Sequence, residues 1–333
     1  MPSMRKLIIL LAIFMIVGIV FISFGELEKT WLVLQHANPL FLIAAICVML
    51  LNILSEALNY KFLYKLMGME ERLKHLALLT STASFINVIA PSGGFGGIAI
   101  FVDDAGKRGN SRGLAAAAGA LFLFLEYTAF LLVLSLGLVV LVRRNDLNPG
   151  EISASAIMLV IVLSLGFVIY LGAISGERLG RLLQQISHFL NRFIWFFTHK
   201  EYFSEISAHT FGLEVSEGLG ILRFKKSSFM LPLSISLVSK VLQITIMALV
   251  FRAFNVDFSL GTVVAGFSSA YLFLIVSPTP YGIGIVETIL PMAFYSLNIP
   301  WAESVISTLV YRGITFWVPL LLGGVSFRYL SKE

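Results

Sequence analysis

The chain has one cysteine, Cys47, and it stands in an apolar run, which excludes a disulfide framework. Charge is also scarce, since Asp, Glu, Lys and Arg make up 13% of the 333 residues. The five histidines are scattered, and no pair shows the spacing of a metal site. There is no G-x-x-x-x-G-K-[S/T] segment, so no ATP-binding P-loop, and no H-E-x-x-H segment. Asp103 and Asp104 are the one aspartate pair at the edge of an apolar segment; adjacent residues diverge on a helix, and the two are expected to be solvated. These absences weigh against an enzyme. No cofactor is expected, and no nucleic-acid partner.

What the chain has instead is apolar length. Hydrophobic residues make up 58%, and several runs exceed the roughly 18 residues that mark a transmembrane candidate. The expected fold is an all-α polytopic membrane protein, one integral membrane domain over residues 1–333. Full spans are expected at Leu7–Phe24, Pro39–Tyr60, Gly113–Val142, Ser153–Ile174, Ser227–Phe251 and Trp301–Tyr329. The segment after Lys6 is longer than a signal-peptide core, and no small-x-small cleavage site follows it, so it is read as a retained helix.

Two apolar regions, 76–105 and 260–299, are interrupted. The first carries Pro91, Gly94 and Gly96, and the second Pro280, Gly282 and Gly284. Proline cannot donate to a helix ladder and glycine is a poor helix former, so both regions should break. Broken helices at membrane depth are tolerated where they line a cavity, and paired breaks in two halves of a chain point to a transport site. The halves are 7–174 and 227–329, separated by a segment at 175–226. That segment begins with an apolar stripe, Leu179, Leu182, Leu183, Ile186, Phe189 and Leu190, with Arg181, His188 and Arg192 off it. Such a helix either lies on the membrane or packs on the protein's own loops.

If each interrupted region re-enters the side it came from, 18 of the 24 Lys and Arg residues fall on one side and 4 on the other, with Lys240 and Arg312 left in the membrane. The positive-inside rule then makes both termini and residues 175–226 cytoplasmic, and the two hairpins enter from opposite faces as an inverted repeat. Ionisable residues inside spans are candidates for function, and these are Glu56, Glu126, Lys240, Glu287 and Arg312. Glu287 and Arg312 can equally form a structural ion pair. Asn52 and Asn59 share a face with Glu56 and suit interhelical hydrogen bonding.

Pro91-Ser-Gly-Gly-Phe-Gly96, Arg108-Gly-Asn-Ser111, Ala115–Ala118 with Glu126, Pro280-Tyr-Gly-Ile-Gly-Ile-Val-Glu287, Tyr311-Arg312 and Gly323-Gly324 follow one another in an order and spacing that resemble the membrane region of the lysylphosphatidylglycerol synthase family. Where that family often has arginine after the glutamate of the third span, Tyr127 follows Glu126. The resemblance implies movement of a phospholipid, aminoacylated or not, or of a lipid-linked saccharide between leaflets of the cell membrane. It also implies membrane lipids and a separate lipid-modifying enzyme as partners. A secondary carrier of a small soluble anion is the alternative, and a membrane-embedded transferase ranks behind it.

Overall fold

The computed structural model describes residues 37–89, 94–145, 147–198, 204–221, 229–277 and 279–331, and among these it is helical with no strand. The expected first span, Leu7–Phe24, and Pro91 lie outside the described residues.

Among the described residues, five helices are long and apolar enough to cross a membrane: α1 (Pro39–Leu66), α4 (Arg112–Arg144), α5 (Pro149–Ile174), α8 (Met230–Ala253) and a final rod, Trp301–Leu330. The rod consists of α11 (Trp301–Arg312), a π-helical turn (Gly313–Trp317) and α12 (Val318–Leu330). Large apolar side chains on the outer faces stay exposed, among them Val160, Leu163 and Phe167 on α5 and Leu321 on α12. Patches of that kind are untenable in water and ordinary against lipid. The protein is a multi-pass membrane protein.

Helix ends differ from expectation in two places. Lys61–Leu66 continues α1 rather than opening a loop. Asn148-Pro149-Gly150, which falls between the expected spans and has the residue types of a turn, is instead a helix start, with Pro149 in the first turn. Asn148 Oδ1 accepts from Glu151 N at 3.0 Å, and Glu151 Oε2 accepts from Asn148 N at 3.3 Å. Asn and Pro suit turns and helix N-termini for the same backbone reasons, so composition alone does not separate the two.

The first interrupted region is two helices, α2 (Leu73–Ile89) and α3 (Phe95–Lys107), packed against each other. At about 1.5 Å per residue neither reaches the roughly 30 Å of a bilayer core. Their outer ends are tied together. His75 Nε2 donates to Asp104 Oδ2 at 2.9 Å, and Arg108 Nη2 donates to His75 Nδ1 at 3.1 Å. Asp104 is therefore a buried-side anchor of the hairpin, not a solvated residue. Asp103 does face outward, 2.8 Å from Lys107. Tyr60 of α1 stacks on Phe101 of α3 and Phe122 of α4, with ring centroids 3.8 and 4.2 Å away, and fixes α3 between those helices.

The second interrupted region is α9 (Leu260–Val276), a 3₁₀ turn (Pro280–Gly282) and α10 (Ile285–Ser296). Arg144, at the end of α4, donates to Ser259 Oγ at 3.0 Å and to the Leu297 carbonyl at 3.2 Å, gathering both outer ends of this hairpin. The first hairpin instead leads directly into the start of α4 at Arg112. The two hairpins thus open at opposite ends of α4.

Between the halves lie α6 (Gly176–Thr198) and α7 (Glu205–Gly220), packed on each other. Leu179, Leu182 and Leu183 join the protein core, while Ile186 and Phe189 on the same stripe are exposed. The stripe therefore serves the protein at one end and faces away from it at the other.

Candidate functional site

Both breaks border one central cavity of about 280 Å³. The first contributes Gly94 and Gly97, the second Thr279 and Tyr281, and the walls come from α1, α2, α4, α9 and the final rod. Gly94 is required by geometry: its φ is +92°, and a Cβ there would lie 2.9 Å from Leu123 Cδ1. Its neighbour Gly97 donates its N–H to Asn87 Oδ1 at 2.8 Å, so the start of α3 already has an acceptor.

The second break is held by side chains of its own. Thr279 Oγ1 donates to the Ile283 carbonyl at 2.9 Å. Tyr281 sits at φ +51°, an unusual conformation for an aromatic residue, between Pro280 and Gly282. Its carbonyl accepts from Arg312 Nη2 at 3.1 Å. Arg312 Nε also donates to Glu287 Oε1, whose partner oxygen accepts from Gly284 N at 2.7 Å. Arg312 thus connects the broken backbone to the start of α10, and the π turn begins directly after it. The amide at the start of α10, like that of α3, is taken by the protein itself.

A second ion pair lies across the cavity. Lys240 Nζ is 2.7 Å from Glu126 Oε2 and donates to Tyr271 Oη at 2.9 Å. Lys240 is fully buried, so it does not snorkel. Glu56 stands beside this pair on the cavity wall, accepting from Asn52 Nδ2 at 2.9 Å, and Asn52 Oδ1 accepts from Ser239 at 2.8 Å. Asn59 donates to Ser236 at 2.9 Å and joins α1 to α8.

Of the residues expected on the path, Glu56, Glu126, Gly94 and Arg312 line the cavity. Lys240 and Glu287 stand directly behind it as ion-pair partners, and Pro280, Gly282 and Gly284 build the turn at its edge. Gly96 sits in the first turn of α3 and is not on the cavity wall. Sequence reasoning missed Tyr271, Asn87 and Thr279. Tyr271 lies in an apolar run with no signal of its own, whereas Asn87 and Thr279 flank the breaks and were findable as polar residues there.

On the wall, Thr80 Oγ1 has no hydrogen-bond partner among the described residues, and neither do two atoms of charged residues, Glu126 Oε1 and Arg312 Nη1. Glu126 and Arg312 are 5% and 4% exposed. A buried donor and a buried acceptor left open are costly unless something occupies them part of the time.

The profile of the lysylphosphatidylglycerol synthase TM region matches residues 7–323. The chain belongs to that family. It is also 22% identical over 336 residues to a UPF0104 membrane protein of Methanothermobacter thermautotrophicus, covering 97% of this chain and 96% of the relative. A UPF0104 membrane protein of Methanocaldococcus jannaschii is 24% identical over 336 residues, covering 99% and 97%. Of the motifs named above, Gly94, residues 280–287, Glu126 and Arg312 fall at the cavity or its supports, whereas 108–111, 115–118 and 323–324 lie away from it.

Proposed function

We propose that this family member moves a lipid headgroup between the leaflets of the cell membrane through the central cavity, with both termini cytoplasmic. The observation that carries the reading is the meeting of two oppositely opening breaks at one charged cavity. A headgroup needs polar partners inside hydrocarbon, because an unsatisfied polar group there costs several kcal/mol. The open Arg312 Nη1 suits a phosphate oxygen. Glu56, which among the described residues has Asn52 but no cation as its hydrogen-bond partner, suits an amino or hydroxyl group on the same headgroup. The helix N-termini at the breaks are weaker candidates for phosphate than Arg312, since Asn87 and Glu287 already occupy their amides.

The reading makes the protein a non-catalytic translocator, its partners membrane lipids and a separate enzyme that modifies them. The test is leaflet exchange of labelled phosphatidylglycerol, lysyl-phosphatidylglycerol and a polyprenyl-phosphate sugar in proteoliposomes. Exchange of one class that Arg312→Lys and Glu56→Gln both lose is expected. Exchange unchanged in a folded Glu287→Gln/Arg312→Gln double variant refutes the reading. The cavity volume also accommodates a small soluble anion, and anion uptake with no lipid exchange would favour that carrier instead.

A further inference from the structure

A second hollow of about 280 Å³ lies between α10 and α11, lined by Pro291, Met292, Trp301, Val305, Thr308 and Leu309, with Glu287 and Thr288 at one end. It opens outward, where Met292 and Trp301 are about half exposed. Glu287 lines this groove, and the arginine it binds, Arg312, lines the central cavity. The ion pair is therefore the partition between the two spaces.

Thr308 is 1% exposed, lines the groove, and its hydroxyl has no hydrogen-bond partner among the described residues. The adjacent Ser307 hydroxyl is likewise without a partner among the described residues, but Ser307 does not line the groove. Thr288 donates to the Gly284 carbonyl at 2.7 Å and Thr315 to the Tyr311 carbonyl at 2.9 Å, the ordinary way for a helical threonine to satisfy itself. One turn separates Thr308 from Arg312. Along the groove-lining face of α11 the chemistry thus changes from a cation with an open donor, to a neutral open donor, to the apolar side chains Val305 and Trp301. That is the order of phosphate, ester carbonyl and hydrocarbon in a glycerophospholipid.

We propose that the α10–α11 groove holds an acyl chain of the lipid whose phosphate meets Arg312, with Thr308 donating to the ester carbonyl. This rests on the lipid reading above and adds the lateral route by which the chain stays in hydrocarbon while the headgroup is inside.

The test uses the full chain in phosphatidylglycerol liposomes carrying a diazirine-labelled acyl chain, with adducts mapped by mass spectrometry. Adducts are expected at Met292, Val305 and Leu309 in excess of those at the lipid-facing Leu163 and Leu321. Val305→Trp should abolish the groove adducts and leave those at Leu163. Thr308→Val, which fills the same space, should weaken them and checks that the Trp variant did not act by misfolding. Groove labelling no greater than at Leu163 and Leu321, or unaltered by Val305→Trp, overturns the proposal. Lipid exchange that proceeds with an unlabelled groove overturns the groove alone, whereas a labelled groove with no exchange supports the groove and counts against transport.

Discussion

Replacing Lys240 with methionine tests whether the Glu126–Lys240 pair holds the two halves together. The charges lie 2.7 Å apart, with Lys240 wholly buried. At an effective dielectric constant of about 20, the gross attraction is about 6 kcal/mol. Desolvation of both groups offsets much of this in the intact pair, but removing one partner leaves the other buried and uncompensated, at a cost of roughly 3–5 kcal/mol. Thermal midpoints move by about 2 °C or more per kcal/mol in chains of this order of size, so the Lys240→Met variant should melt roughly 6–10 °C lower in detergent. The double variant Lys240→Met/Glu126→Leu should recover about half of that loss. The remainder, about 1–3 kcal/mol, belongs to the Tyr271 hydroxyl, which loses its partner at 2.9 Å, and adding Tyr271→Phe should restore it. Unfolding followed by tryptophan fluorescence checks the series. A single variant that melts with the parent protein, or a double variant that loses the sum of the two singles, would refute the account, because either means that the charges do not depend on each other.

Other outcomes follow from local geometry. Gly323→Ala places a Cβ 2.2 Å from the Ser81 carbonyl oxygen and should cost about 1–3 kcal/mol. At Gly324 the nearest atom is 3.6 Å away, and the same change should be neutral or slightly stabilising in the same melting assay. Arg312→Lys loses the bond to the Tyr281 carbonyl, and amide hydrogen exchange over 279–287 should become faster while that of α1 stays as it was. The hydrogen bond from His188 holds the Glu205 carboxyl below its ordinary range. A lowered folded value contributes stability above the unfolded value and loses it as pH falls through the folded value. Exchange at the start of α7 should therefore speed up in acid below the usual carboxylate range, and Glu205→Gln should remove that pH dependence.

The breaks are legible in the residues themselves because proline and glycine act through their own backbone and that of their neighbours. Pro280, Gly282 and Gly284 interrupt a helix wherever they stand, and Gly94 reads as a turn residue for the same reason. The spans are legible because apolar length answers to the bilayer and not to any partner in the chain. The N-terminal ends of helices are harder to place, as at Asn148, where one set of residue types serves both a turn and a cap. Asp103 and Asp104 show the limit of one-dimensional reading most clearly. They are adjacent in sequence, yet one pairs along its own helix with Lys107 and the other across the hairpin with His75.

The sequence by itself determined an all-helical membrane protein with two interrupted regions, a family, and five ionisable residues within spans. Pairing was decided only in three dimensions. Lys240 finds Glu126 and Tyr271, Arg312 finds Glu287 and the Tyr281 carbonyl, and Glu56 is left with Asn52. Each partner is contributed by a different helix or turn, apart from Glu56 and Asn52, which share α1. A buried charge is stable only beside its complement, and which complement lies within reach depends on how helices far apart in sequence pack, a property no local pattern encodes.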